Sequence, residues 1–314
     1  MSDKINRELA ALFNKGRKAN EKILAQVEAQ IIEQYKIALE TVRRDIADLF
    51  ARYGDDLTFE QAVKYSRLSN LEKKITGELS RLGAAVKVRI SSGIREAYST
   101  AYYYSAFALE ATLQQSLGFG VLSNDKIEAA LLNPVDRIKW PSRLQAHIEG
   151  LNRRVRQAIA QGLIQGSGLS KVARDVRDSI GRDAYQALRI IRTESQRAQS
   201  AARLLAIEQV EQKSGEQGFT VYRVWLATLD GRTRESHRRL DGQRADEDGY
   251  FYFDDESRTT APGMSGIAEE DIHCRCTIIT EIEGIPLQWR RDNVDRKKIP
   301  FVTYEDWYKA RIDK

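Results

Sequence analysis

GFTVYRVWLATLDGRTRESHRRLDG, residues 218–242, is where the chain changes character. Its first half alternates side chains at period two and is rich in β-branched and aromatic residues, the pattern of a half-buried strand. Asp230 and Gly231 then supply a turn, and TRESHRRL (233–240) returns to helical spacing. Upstream of this stretch the chain is helix-periodic. Downstream it is broken by Gly and Pro. Strands grouped after helices, rather than alternating with them, exclude a doubly wound parallel sheet. The expected fold is α+β: a mostly helical part over residues 1–215, then a small α+β domain with a short antiparallel sheet over 216–314.

Working upstream, Ile31, Tyr35, Leu39, Val42, Ile46 and Phe50 step by three and four along one face of a long helix. That helix is expected to begin between Asp3 and Glu8 and to end at RYGDD, with Gly54 as its C-cap and Asp56 or Thr58 capping the next helix. From Thr58 to Leu117 the spacing predicts two helices, Glu60 to Leu82 and Ala84 to Leu117, or one interrupted near Gly83. Tyr98, Tyr102, Tyr103, Tyr104 and Phe107 form an aromatic packing face within it. GFGVLSN (118–124) reads as a turn and NPVDRIKWPSR (133–143) as a connector. After the connector comes a helix containing His147. Then come a short helix capped by Ser170 and a longer one from Arg182 to about Gln212. Downstream, a short strand is expected at Tyr250 to Phe253, a second good strand in CRCTIITEIEG (274–284), and an amphipathic helix in YEDWYKARIDK (304–314) with Trp307 on its apolar side.

The net charge of +5 is uneven. Residues 216–314 carry 16 Lys/Arg and 20 Asp/Glu, so the preceding part holds an excess of nine positive charges. That excess would tolerate nucleic acid nearby, although solvated helix faces explain it as well. The N-terminal stretch lacks the apolar run of a secretory signal, and no run approaches the ~18 apolar residues of a membrane span. Synthesis and use in the cytosol are therefore expected.

Cysteine and histidine are scarce: two Cys and three His. Both cysteines and two of the histidines lie in one C-terminal region, in DIHCRCTI (271–278) and in the segment 230–242. A strand through Cys274, Arg275 and Cys276 puts both sulfurs on one face and turns His273 and Arg275 the other way. His237, on the helix after the first strand, completes a sulfur and imidazole set suited to zinc, with His273, Asp230, Asp241 or water as the fourth ligand. Other readings stand beside this one. Asp230 serves as a turn or cap residue, with Arg232 and Arg234 pairing to it or to Glu235. The cysteines can be small buried apolar residues, and His237 can hydrogen-bond a carbonyl. A disulfide between residues spaced C-x-C would be strained. Catalysis would need Cys274 as nucleophile with His237 as base, or a metal-bound water. No glycine-rich phosphate loop, H-E-x-x-H or G-x-S-x-G accompanies them.

Taken in order, RTESQRAQSAA (192–202), VWLATLDGRTRESHRRLDGQ (224–243), APGMSG, HCRCTI and the terminal YEDWYK resemble the Mu F-like minor head proteins of tailed bacteriophages, the phage head morphogenesis family. The resemblance covers about residues 150–314. It rests on Asp230, Arg232, Thr233, Arg234, His237, Gly242, Cys274, Arg275 and Cys276. His273 departs from the family's more usual Asn, and Ala261 from its more usual Gly. The resemblance implies a structural protein of the virion or procapsid interior near the portal vertex. It would act in head assembly, DNA packaging or DNA delivery and contact the portal protein, with the major capsid protein, scaffold and packaged DNA as further partners. It implies no catalytic residues. Members also occur fused to toxin or ADP-ribosyltransferase domains, and no such extension is expected here. Two functions from other classes remain open: a metal-dependent hydrolase or nuclease using the His/Cys cluster, and a DNA-binding module in residues 1–215 without chemistry.

Overall fold

The computed structural model describes residues 2–53, 59–64, 66–132, 139–217, 220–284 and 288–311. The caps expected at Gly54, Asp56 and Thr58, and residues 133–138 of the connector, lie outside the described residues.

Six helices come first: α1 (Ser2–Tyr53), α2 (Phe59–Lys64), α3 (Arg67–Leu113), α4 (Asn124–Leu132), α5 (Trp140–Ile164) and α6 (Leu169–Gln217). In α1 the apolar stripe holds as expected, with Ile23, Val27, Ile31, Tyr35, Ala38, Val42 and Ile46 all buried. Such an in-phase stripe, more than propensity, stabilises a helix of this length.

Three sequence expectations fail for related reasons. α3 runs unbroken through Gly83, and the break falls earlier, at Ser66 in the left-handed region (φ 55°). Gly83 serves close packing instead: a Cβ there would lie 3.1 Å from Ile148 Cγ1 of α5. α6 likewise runs through Gly181, and because it starts at Leu169, Ser170 lies inside the helix rather than capping it. Val172, Val176 and Ile180 continue in phase into Ala187, Ile190 and Ile191. A lone Gly costs about 1 kcal/mol against Ala, less than burying the flanking apolar side chains returns at roughly 1.5–3 kcal/mol each. Finally, residues 140–143 of the expected connector form the first turn of α5, with Pro141 at a position that needs no backbone donor. Helix α4 had no strong periodicity to reveal it.

The chain packs as two compact units that divide differently from the change in secondary structure near residue 215. One holds Met1–Leu24, Gly93–Arg137 and Arg192–Lys314, and the other Ala25–Ser92 and Ile138–Ile191. Helices α1, α3 and α6 contribute turns to both. In the all-helical unit the Tyr35 hydroxyl donates to Asp183 Oδ1 at 2.7 Å, and Arg154 Nη2 lies 3.3 Å from Asp183 Oδ2. Burial, then the Asp183 charge, pushes the Tyr35 hydroxyl far above its ordinary pKa, so it remains a donor.

The other unit carries the rest of the structure: β1 (Val221–Leu226), α7 (Glu235–Arg239), β2 (Phe251–Tyr252), β3 (Arg258–Thr259), α8 (Ala268–Asp271), β4 (Thr277–Ile282), β5 (Trp289–Arg291), β6 (Lys298–Pro300) and α9 (Tyr304–Arg311). The expected antiparallel sheet is the β1–β4 pair, in register Val221↔Ile282 to Leu226↔Thr277. Two further antiparallel pairs, β2–β3 and β5–β6, are separate from it. Trp225 of β1 and Ile278 of β4 are cross-strand partners, and both are fully buried. Around them pack Leu204 and Ile207 from α6, Leu240, Phe251 and Phe253, and Tyr304 and Trp307 from α9. Tyr98 and Tyr102 are buried as expected of a packing face, whereas Tyr103 and Phe107 are exposed.

Candidate metal centre

The strand β1 delivers the chain into a turn that Asp230 organises. Its Oδ1 accepts from the Arg232 backbone N–H at 2.9 Å, and the Thr233 hydroxyl donates to the Thr228 carbonyl at 2.5 Å. The Arg275 guanidinium grips the same carboxylate with both terminal nitrogens, Nη2 at 3.0 Å from Oδ1 and Nη1 on Oδ2. Arg232, expected as a turn lock, has its side chain 83% exposed and stands 3.8 Å from Asp230, so it adds little. Arg234, expected to pair with Asp230 or Glu235, instead donates to the carbonyls of Glu270 and Ile272. Those are part-buried carbonyls at the end of α8, and satisfying them clamps the backbone just before Cys274. Arg239 is the residue that pairs with Glu235.

Burial pushes the Asp230 carboxyl up. The Arg275 fork, the Arg232 N–H and the charges of Arg275 and Arg232 outweigh that and hold it below 3.8. A depressed carboxylate contributes stability above its unfolded pKa and loses it as pH falls through the folded value. Asp230→Asn is therefore expected to cost about 1–2 kcal/mol at pH 7, with the deficit closing below pH ~3.8. Urea midpoints of both proteins across that window check it; a pH-independent deficit would contradict the ion pair.

Gly242 comes just after the short helix with φ 80°, and its N–H bonds the Trp225 carbonyl at 2.9 Å. A Cβ there would meet nothing within 4 Å, so backbone angle, not space, requires glycine.

Cys274 and Cys276 precede β4 rather than lying in it. The expected alternation nonetheless survives in burial and partners: Cys274 and Cys276 are buried and reach His237, while Arg275 is exposed and reaches Asp230. The Cys276 carbonyl accepts from Gln196 Nε2 at 2.6 Å and the Arg275 carbonyl from Thr228 Oγ1 at 2.6 Å, which pins this backbone to α6 and to the turn. Both sulfurs converge on His237 Nδ1, Cys274 Sγ at 3.6 Å and Cys276 Sγ at 3.4 Å. The three ligand atoms lie within 4.8 Å of one another, and all three residues are buried. The imidazole stacks on Phe253 and meets Trp225 edge-on, with ring centres 5.9 and 5.3 Å away.

Glu270 Oε2 lies 2.8 Å from His237 Nε2 and accepts from Ser236 Oγ at 2.8 Å. The approach to Nε2 is close but poorly aligned as a hydrogen bond. A carboxylate on the far ring nitrogen is the usual companion of a metal-bound histidine, because it fixes the tautomer. Through the hydrogen bond between the sulfurs, the Cys276 thiol is pulled down to about 5 while the Cys274 thiol is raised well above its usual value. A thiolate formed in this apolar core would be costly on its own, and a bound cation would neutralise it. Both cysteines are free thiols, in keeping with the strain a C-x-C bridge would carry.

Of the side chains considered from the sequence as a fourth ligand, none joins the cluster. Asp230 is held by Arg275. Asp241 is held by Arg290, with both side chains 1% exposed. His273 sits in the left-handed region (φ 59°) and lies outside the three-residue group. His147 lies in the other unit, half-buried. Sequence reasoning missed Glu270, whose position is set by the α8 turn, and Gln196, although it lies within a motif that carries the resemblance. It also missed Arg290.

The Phage Mu protein F like protein family profile matches residues 153–279. Minor head protein GP7 of Bacillus phage SPP1 is 31% identical over 294 residues, which cover 92% of this chain and 94% of that protein. The chain belongs to the Mu F-like family of phage minor head proteins. The profile match takes in His237, Cys274 and Cys276 and begins near residue 150, where the resemblance was expected to begin. NAD(+)--arginine ADP-ribosyltransferase EFV of Enterococcus faecalis is 29% identical over 310 residues, 99% of this Mu F-like chain, and the chain spans 61% of that protein's length. A Haemophilus influenzae protein described as uncharacterized is 25% identical over 225 residues, 72% of the chain and 42% of its own length. No solved structure matches.

Proposed function

We propose that the chain is a structural minor head protein acting in head morphogenesis, in DNA packaging or delivery, with its C-terminal α+β part stapled by one zinc-class ion. The near end-to-end match with a protein named as a minor head protein carries this reading. The Enterococcus transferase bears its enzymatic name on a protein of which this chain covers 61%, and the segment they share is one that a phage head protein also contains. The chain's own residues support a structural role. His237, Cys274 and Cys276 are 2%, 4% and 2% exposed, under the rings of Trp225 and Phe253, where a substrate of a hydrolase would have to enter. Zinc takes thiolate and imidazole ligands, and a bound ion would cross-link α7 to the segment before β4.

The portal protein is the proposed partner and the virion or procapsid interior near the portal vertex the proposed location. No helix among the described residues is long and apolar enough to cross a membrane. Co-expression with the portal and capsid proteins of the same phage tests this. The chain is expected to sediment with portal rings or procapsids. Sedimenting with neither would sink the proposal.

A further inference from the structure

The Cys274–Cys276 segment has a second face. Opposite the sulfurs, Arg275 lines a pocket of about 90 Å³ together with Arg17, Arg203, Arg290 and Arg291, and among the described residues no Asp or Glu lines it. Two of these arginines are neutralised in place, Arg275 by Asp230 and Arg290 by Asp241. Arg17 and Arg291 share Glu21 at 3.8 and 3.4 Å, but that carboxylate is 55% exposed, so water screens both contacts. Arg203 is 7% exposed, and its guanidinium reaches a neutral acceptor, Gln199 Oε1, at 3.4 Å. Burial, then the Arg17 charge, pulls Arg203 down to about 10, the direction expected of an uncompensated buried cation.

The unused hydrogen-bonding groups tell the same story. Arg17 Nε and Nη2, Thr280 Oγ1, Trp289 Nε1 and Arg290 Nε are buried without a hydrogen-bond partner among the described residues, and all belong to residues lining this pocket. Buried donors are normally satisfied, and a cluster of them in one cavity calls for an acceptor. We propose that this pocket binds a phosphate-class oxyanion. A phosphate monoester carries about 1.5–2 negative charges at neutral pH, which suits Arg17, Arg203 and Arg291, three guanidiniums that have only the screened Glu21 carboxylate between them. Its oxygens also offer more acceptor sites than the roughly four of a carboxylate, against five unpartnered donor atoms. A cavity this small admits one such group: a free phosphate ion or the terminal phosphate of a nucleic acid strand. Arg275 ties the pocket to the cysteine cluster, because one three-residue segment presents the sulfurs to His237 and the guanidinium to the oxyanion pocket.

The test is a titration of the full chain with inorganic phosphate at constant ionic strength, set by sodium chloride and followed by thermal unfolding and calorimetry. A saturable rise in Tm is expected, with at least tenfold weaker affinity in Arg203→Met, the loss of one charge-assisted contact. Thr280→Val keeps the side-chain shape, removes one donor, and is expected to weaken binding severalfold. It carries the test if Arg203→Met does not fold. Competition by a 5′-phosphorylated oligonucleotide, but not by its unphosphorylated form, would support the pocket and assign a strand end as the source. Phosphate binding without such competition would support the pocket with free phosphate as the ligand. No rise in Tm beyond the chloride control, or an equal rise in both variants, would overturn the proposal.

Discussion

Stripping the protein with a strong chelator is expected to lower the unfolding temperature of the unit that carries the cluster sharply, and zinc is expected to restore it. Structural zinc contributes on the order of 10–16 kcal/mol to the folding of small zinc peptides. The loss here should be smaller, several kcal/mol, because Trp225, Phe251, Phe253 and Ile278 already form a core around the site. Elemental analysis should find about one zinc per chain. His237→Ala should lose the metal and the chelator response together. Its destabilisation should exceed the ~2–5 kcal/mol of an ordinary large-to-small core change. Glu270→Gln separates a metal centre from a hydrogen-bonded core triad: it leaves all three ligands in place and should weaken zinc affinity about 10–100-fold with the fold intact. If the wild-type Tm ignores both chelator and added zinc, the cluster is a buried thiol–imidazole contact and the staple is wrong.

How much of this was legible in the sequence depends on the range of the interactions. The α1 stripe and the β1 alternation are local periodicities and could be read directly. The breaks expected at Gly83 and Gly181 were misplaced because glycine's helix penalty is local, while the burial that overrides it is not: Gly83 is where Ile148 of another helix packs. Within the site, Cys274 and Cys276 were recognisable as a pair because two-residue spacing in extended chain fixes the side they face, even outside the strand assumed for them. His237 was found because histidine is scarce. Glu270 was invisible among 45 acidic residues, since nothing local marks the one that turns toward an imidazole. Arg290 and Asp241, 49 residues apart, were hidden for the same reason. The unit boundaries show the limit most clearly. Residues 192–217 continue a helix without interruption yet pack with the α+β part, and periodicity carries no mark of where a helix changes neighbours.

The buried pair of Arg290 and Asp241 sets the second large expectation. Arg290 donates to both oxygens of Asp241, at 2.7 and 3.0 Å, and to the carbonyls of Ala227 and Val302, each at 2.7 Å. Asp241 also accepts from the backbone N–H groups of Ala227 and Tyr304, at 2.7 and 2.6 Å. One ion pair thus joins the end of β1, the loop after α7, β5 and the start of α9. Arg290→Met strands a buried carboxylate and two carbonyls and is expected to cost about 3–5 kcal/mol. Asp241→Asn leaves the guanidinium without its counter-charge and should cost a similar amount. The double variant should lose clearly less than the sum, because neither charge is then buried alone. Urea unfolding of the four proteins measures the coupling, and additive losses would show that the two side chains act independently. A strong coupling would locate the α9 docking in this pair. The Tyr304 hydroxyl, which donates to the Asp230 carbonyl at 2.6 Å, would then link that docking to the turn that orients Arg275.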